Sequence, residues 1–124
     1  MTDTLCPCAS ERAYSDCCEP YHLGDALPDS VEALMRSRYS AFVLADDDYL
    51  LESWHPLTCP EHLDLSDNPD WVKLEVVSSE QDGEQGRVHF KAFYQDGKQQ
   101  ECLEELSEFR KANGRWYYLR GDIK

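Results

Sequence analysis

Four cysteines lie close together near the start of this sequence, at Cys6, Cys8, Cys17 and Cys18. Thiols at this density typically share one ligand or pair with each other. A tetrahedral zinc ion fits four thiolates best, and Pro7 would stiffen the turn from which Cys6 and Cys8 reach it. Four protein ligands leave no open coordination position, so we expect structural zinc, although four thiolates also suit iron.

Two alternatives to this ligand set stay open. Cys17 and Cys18 are adjacent, so both can bind one ion only if the backbone bends sharply, and His22 could replace one of them. Without a metal, the thiols would form two disulfides or remain free in the core. Residues 1–5 carry neither a basic start nor an apolar run, so we expect no signal peptide and a cytoplasmic protein. A reducing compartment favours metal over disulfides.

Composition restricts the partners. The chain has 124 residues, of which 41% are hydrophobic, enough for one compact domain with a small extra module. Its 25 acidic and 12 basic residues give a net charge of -13, which argues against nucleic acid and anionic membrane surfaces. No segment approaches the roughly 20 apolar residues that span a bilayer. Basic protein surfaces remain as partners, and solubility alone would also account for the charge.

Two helices are predicted after the cysteine module. We assign the module to residues 1–24 and a second domain to residues 25–124. The first helix begins after Asp29 or Ser30, either of which can cap it, and extends to Ala45. The second begins at the acidic residues 46–48 and ends at His55, before Pro56. One helical turn is expected within residues 60–63.

The second half of the sequence predicts strands. Alternating and β-branched segments indicate strands over residues 71–79, 87–94, 98–111 and 115–120. Turns at residues 82–86, at Asp96-Gly97 and at Asn113-Gly114 would join them as an antiparallel meander. The helices should cover its apolar face, which gives an α+β fold. Four acids of the third strand are assigned to its solvated face: Glu101, Glu104, Glu105 and Glu108.

Several of these segments resemble known families. The pattern Cys6-Pro7-Cys8-Ala9-Ser10, Tyr14 and Cys17-Cys18 resembles the SEC-C motif, which is Cys-x-Cys, eight residues, then Cys followed by His or Cys. Residues 35–42, 48–50, 54–56 and 109–118 resemble the YchJ family of bacterial proteins. That family joins a SEC-C module to an NTF2-like (cystatin-like) domain, a cone of helices against a curved antiparallel sheet. Many members carry a second, C-terminal SEC-C motif, whereas no cysteine follows Cys102 here, so we expect no role that requires two metal modules.

The NTF2-like resemblance implies a pocket between the helices and the sheet. Its candidate lining residues are Arg38, Tyr39, Trp54, His55 and Tyr118. His55 is a candidate general base or ligand-binding group, with an ordinary helix-terminal histidine as the alternative. Arg36 or Arg38 could meet an anionic ligand in the pocket, or form a structural salt bridge with an acid such as Glu104.

Two functions follow from these readings. The first, which we favour from the sequence, is a zinc-binding protein-interaction module or adaptor in protein targeting or quality control. It follows from the resemblance, because SEC-C modules of the SecA motor contact a secretion chaperone and the ribosome. The alternative is a small-ligand binder or enzyme that uses a pocket near His55. A protein partner is expected, nucleic acid and membrane are not, and the oligomeric state is not determined by the sequence.

Overall fold

The computed structural model describes residues 6–8, 12–63, 65 and 68–123. Short helical elements come first and four strands follow, as the sequence predicts. After a 3-10 turn at Tyr14–Asp16, the helices are α1 (Glu19–His22), α2 (Val31–Leu44) and α3 (Asp47–Glu52). The strands are β1 (Asp70–Asp82), β2 (Gln85–Asp96), β3 (Gln99–Ala112) and β4 (Arg115–Ile123).

Helix α2 is capped at both ends by local chemistry. The Ser30 hydroxyl accepts a hydrogen bond from the Ala33 N–H at 3.1 Å, which satisfies one unpaired donor of the first turn. The Val31 N–H donates to Gln81 Oε1 at 2.8 Å and so ties the start of the helix to β1. Ala45 ends the helix in the left-handed conformation, with φ of 56°.

Helix α3 ends earlier than the sequence predicts. Asp46 caps its start by accepting from the Tyr49 N–H, but the helix stops at Glu52 rather than at His55. The next residues bond to β4 instead, since the Tyr118 N–H donates to Ser53 O at 2.8 Å and the His55 N–H donates to Tyr118 O at 2.7 Å. These long-range bonds replace helical ones. The helical turn expected within residues 60–63 is also absent, and a turn forms at residues 56–58 instead.

The strands form one antiparallel sheet in the order β1-β2-β3-β4, which confirms the predicted meander. A two-residue turn closes each hairpin. At the last of them Asn113 and Gly114 both have positive φ, 54° and 79°, as a type I′ turn requires. Irregular register near Trp71, Val76 and Glu108 marks bulges, which bend strands and increase their twist.

One hydrophobic core joins the cysteine segment to the rest of the chain. Helix α2 packs on β1, β2 and β4, and the inner face of the sheet contributes alternate residues of β2. Buried cysteines belong to the same cluster as the α2 and sheet side chains; its members include Cys6, Cys8, Cys18, Val31, Leu34, Met35, Val88, Phe90, Ala92 and Phe109. Within the described part of the chain, no helix is long and apolar enough to cross a membrane.

The cap of α2 can be tested by substitution. We expect Ser30→Ala to lower the free energy of unfolding by about 1 kcal/mol, because the Ala33 N–H loses its acceptor. Ser30→Asp is the matched control, since aspartate also caps and should retain stability. Urea unfolding followed by circular dichroism measures both variants, and equal losses would contradict the capping role.

Candidate metal centre and apolar cavity

The four cysteine sulfurs converge on one point. The Sγ atoms of Cys6, Cys8, Cys17 and Cys18 all lie within 4.8 Å of one another. Two of these separations are 3.5 Å, between Cys8 and Cys17, and 3.9 Å, between Cys17 and Cys18. A tetrahedron with metal–sulfur bonds of about 2.3 Å has edges of about 3.8 Å, whereas a disulfide needs about 2.05 Å. The cysteines are free thiols in an arrangement that fits one metal ion.

Local backbone geometry creates this convergence. The Cys6 N–H donates to Arg12 O at 2.8 Å and closes the first loop, of which residues 9–11, including motif residues Ala9 and Ser10, lie outside the described part. The 3-10 turn then leads into Cys17, where φ of -127° and ψ of -95° give the sharp bend that two adjacent ligands require. Cys18 follows as the N-cap of α1.

His22 is occupied elsewhere and does not join the sulfur cluster. Its Nε2 donates to the carbonyl oxygen of Ser37 at 2.8 Å, because a carbonyl can only accept. Its Nδ1 lies 2.6 Å from the Tyr14 hydroxyl. Both ring nitrogens are used, so the histidine connects α1 to α2 instead of replacing a cysteine.

Helix α2 supplies the second layer of contacts around the sulfurs. The Ser40 hydroxyl donates to Cys18 Sγ at 3.3 Å and also lies 3.3 Å from Cys6 Sγ. Arg36 donates through Nη1 to Cys8 O at 2.7 Å. The hydrogen-bonded thiols of Cys6 and Cys8, followed by burial, raise the pKa of the Cys18 thiol. Three of the four cysteines are buried, and four thiolates at this spacing would need a cation among them.

A separate cavity lies between α2 and the inner face of the sheet. It has a volume of about 210 Å³ and is mainly apolar. Four of the five residues that the sequence predicts for a pocket line this cavity, namely Arg38, Tyr39, Trp54 and Tyr118. The other lining residues are Met35, Phe42, Trp71, Phe90, Ala92, Leu103, Glu105 and Ser107.

His55 is the nominated residue that does not line the cavity. Its ring packs against Tyr117, with ring centroids 5.9 Å apart, and its Nδ1 accepts from the Leu57 N–H at 3.1 Å. The backbone bond to Tyr118 O holds it at the edge of β4. His55 therefore cannot act as a general base for a ligand in this cavity.

Arg38 is the buried cation of the cavity, with 3% of its surface exposed. Its Nη1 donates to Leu50 O at 2.8 Å and to Ser53 Oγ at 2.7 Å. Its Cζ lies 4.3 Å from the centroid of the Tyr118 ring. Burial lowers the pKa of Arg38 to about 10, so the guanidinium stays charged at neutral pH.

The structural salt bridge that the sequence suggests for these arginines involves Arg36. It pairs with Glu32 at 3.1 Å, one turn away on α2. Among the described residues, no carboxylate lies within ion-pair distance of Arg38. Glu104, the acid that the sequence offers as its partner, lies on the other face of β3 and bonds to His89.

Glu105 is the cavity residue that sequence reasoning missed. We assigned it to the solvated face of β3, but it lines the cavity, half-buried, and accepts a hydrogen bond from Ser107 Oγ at 2.7 Å. The signal was present, because odd-numbered positions from Leu103 to Phe109 alternate onto one face of a strand. The other acids of this strand, Glu101, Glu104 and Glu108, concealed this alternation.

Comparisons with known protein families agree with this architecture. Residues 30–121 match the family described as YchJ, middle NTF2-like domain, and residues 4–20 match the SEC-C motif. A UPF0225 protein of Corynebacterium efficiens is 43% identical, over 98% of this chain and 95% of its own length. A UPF0225 protein of Bordetella pertussis is 45% identical, over 96% of this chain and 92% of its own length.

Two solved structures are similar over nearly the whole chain. The solution structure of a SEC-C motif protein from Rhodopseudomonas palustris has a TM-score of 0.86 and 35% identity, and 99% of each chain is covered. The crystal structure of a SEC-C motif protein from Psychrobacter arcticus has a TM-score of 0.81 and 32% identity. That match covers 96% of this chain and 82% of the other. Both matches span the cysteine segment and the NTF2-like domain of this chain.

Loss of one buried sulfur tests the metal centre. We expect Cys8→Ser to abolish bound metal and to lower stability by at least about 3 kcal/mol, because the binding free energy of a structural metal is also folding free energy. Cys102→Ser, at an exposed cysteine of β3, is the matched control and should change neither. Elemental analysis and thermal unfolding give both readouts. Metal retained by Cys8→Ser would contradict the four-sulfur site.

Proposed function

Since this chain belongs to the YchJ family and carries both a SEC-C motif and an NTF2-like domain, we propose that it is a zinc-stabilised protein that binds a small molecule in the cavity beneath α2. One observation carries this proposal. Trp54, Phe90 and Tyr118 border the cavity without filling it, and about 210 Å³ remains. An apolar cavity with a few polar groups is the usual form of a ligand site.

The metal has a structural role in this proposal. Four protein sulfurs would hold it and leave no position for a substrate. Zinc suits the site better than iron because it has no redox chemistry and the sulfurs are mostly buried. When bound, the ion supplies charge neutralisation for the thiolates and fixes the segment before α2. The unpaired thiols among the described cysteines support a reducing compartment, which we propose to be the cytoplasm.

The cavity is suited to binding rather than to acid–base chemistry. Burial raises the pKa of Tyr39 and of Tyr118 to about 12, so both phenols stay protonated at neutral pH. Among the described lining residues there is neither a histidine nor a cysteine. The carboxylate in that set, Glu105, accepts a hydrogen bond from Ser107, and we propose recognition without covalent change.

Tryptophan signals provide a direct test of ligand binding. Trp54 and Trp71 line the cavity, whereas Trp116 lies in the core outside it. We expect benzyl alcohol, a small neutral aromatic probe, to shift the indole N–H resonances of Trp54 and Trp71 and to leave that of Trp116 in place. Leu103→Phe should fill the cavity and abolish these shifts.

The control for this test is Leu106→Phe, which enlarges a leucine on the opposite face of the same strand. It should leave the probe shifts intact. If Leu103→Phe and Leu106→Phe both respond to the probe as the parent protein does, the cavity is not the binding site.

Protein binding is a second candidate function, and the surface next to the metal segment favours it. Leu23 and Leu27 directly follow α1 and are 68% and 53% exposed. With a net charge of -13, the protein is complementary to a basic protein segment. By analogy with other SEC-C modules, we propose that this contact serves protein targeting or quality control.

This second function predicts a partner that depends on two leucines. We expect the double variant Leu23→Ser, Leu27→Ser to lose a basic partner that the parent protein retains in affinity capture, with release at high salt. Leu57→Ser, at a residue 74% exposed, is the matched control and should retain it. Identical partner sets for all three proteins would contradict the adaptor function.

A further inference from the structure

Arg38 is a buried charge that forms no salt bridge within the described part of the chain. A guanidinium has five N–H donors, and buried arginines are normally paired with an acid. Here the hydrogen bonds of Arg38 all leave from Nη1, to Leu50 O and Ser53 Oγ. In the described ranges, Nε and Nη2 have no acceptor, although the residue is 3% exposed and lines the cavity.

The orientation of the guanidinium is fixed by two aromatic rings. Its Cζ lies 4.3 Å from the Tyr118 centroid and 5.2 Å from the Trp54 centroid. Two neutral acceptors hold Nη1 on the α3 side. A planar fork held in this way is preorganised for two parallel hydrogen bonds to a carboxylate.

Glu105 does not supply the missing carboxylate. It lines the same cavity, but it lies beyond ion-pair distance of Arg38 and accepts from Ser107 Oγ instead. Gly121 leaves room for the Glu105 carboxyl group, since a Cβ built at that position would collide with Glu105 Oε2. The cavity therefore has one cation and one separate anion.

We propose that the cavity binds an organic monocarboxylate, with the ligand carboxylate on Arg38 and an apolar body of about one ring between Phe90, Leu103 and Trp71. This inference rests on the proposed ligand-binding function. A cavity of about 150 Å³ accommodates benzene, so about 210 Å³ holds a ring with a short acid side chain. Glu105 would repel a second negative charge, which restricts the ligand to a monoanion.

Three probes of similar shape separate the charge classes: phenylacetate, phenylacetamide and phenethylamine. Titration of the full-length, metal-loaded protein, followed by calorimetry and by the Trp54 and Trp71 indole signals, gives each affinity. We expect phenylacetate to bind about tenfold more tightly than phenylacetamide, because a charge-assisted pair with a buried arginine replaces a neutral one. Phenethylamine should bind most weakly.

Two variants assign the preference to the proposed groups. Arg38→Met should remove the difference between phenylacetate and phenylacetamide. Glu105→Gln should increase the affinity for phenylacetate several-fold and leave that for phenylacetamide unchanged, since it removes the only like charge that lines the described cavity. If Arg38→Met fails to fold, the change in phenylacetate affinity of Glu105→Gln alone tests the proposed carboxylate site.

The outcomes distinguish this inference from the proposed function. Equal binding of phenylacetate and phenylacetamide, with no effect of Glu105→Gln, would overturn the carboxylate inference and leave a neutral-ligand cavity. Tightest binding of phenethylamine would overturn it as well, with Glu105 as the recognition group. If neither these probes nor benzyl alcohol bind, the inference and the ligand-binding function both fail.

Discussion

Four cysteine sulfurs within 4.8 Å of one another, three of them on buried residues, are the constraint on which this structure depends. Thiolates at that distance repel one another, and a metal ion among them would remove this repulsion and stabilise the segment before α2. Helix α2 contacts this segment directly, through the Ser40 hydroxyl at two sulfurs and through Arg36 at the carbonyl of Cys8. These contacts tie the cysteine cluster to α2.

The same helix builds the cavity. Its residues Met35, Arg38, Tyr39 and Phe42 line the cavity, while Ser37 and Ser40 make contacts on the other side. The Ser37 hydroxyl lies 2.6 Å from that of Tyr49, which connects α2 to α3. Helix α3 then provides the acceptors that hold Arg38 against Tyr118. A continuous set of contacts thus runs from the sulfurs to the buried guanidinium.

Local signals allowed much of this arrangement to be predicted from the sequence. Cysteine spacing predicted the sulfur cluster, and Asn113-Gly114 predicted a hairpin. Asp29 and Ser30 predicted the start of α2, where Ser30 is the residue that caps it. The sequence-based predictions were wrong where contacts with residues distant in the sequence determine the local structure. The backbone near Ser53 bonds to β4, so α3 ends before His55 and the histidine stays out of the cavity. Glu105 faces inward because of strand alternation, which a run of acids concealed.

Hydrogen exchange of α2 tests the central claim that the metal centre holds this helix in place. Mass spectrometry would compare amide protection across Val31–Leu44 in metal-loaded protein and in protein stripped by a chelator, with metal loss verified. We expect metal removal to abolish the amide protection of α2. The protection of the β2–β3 hairpin end, residues 94–101, should stay the same as in the loaded protein. Unaltered protection of α2 after complete metal removal would contradict it.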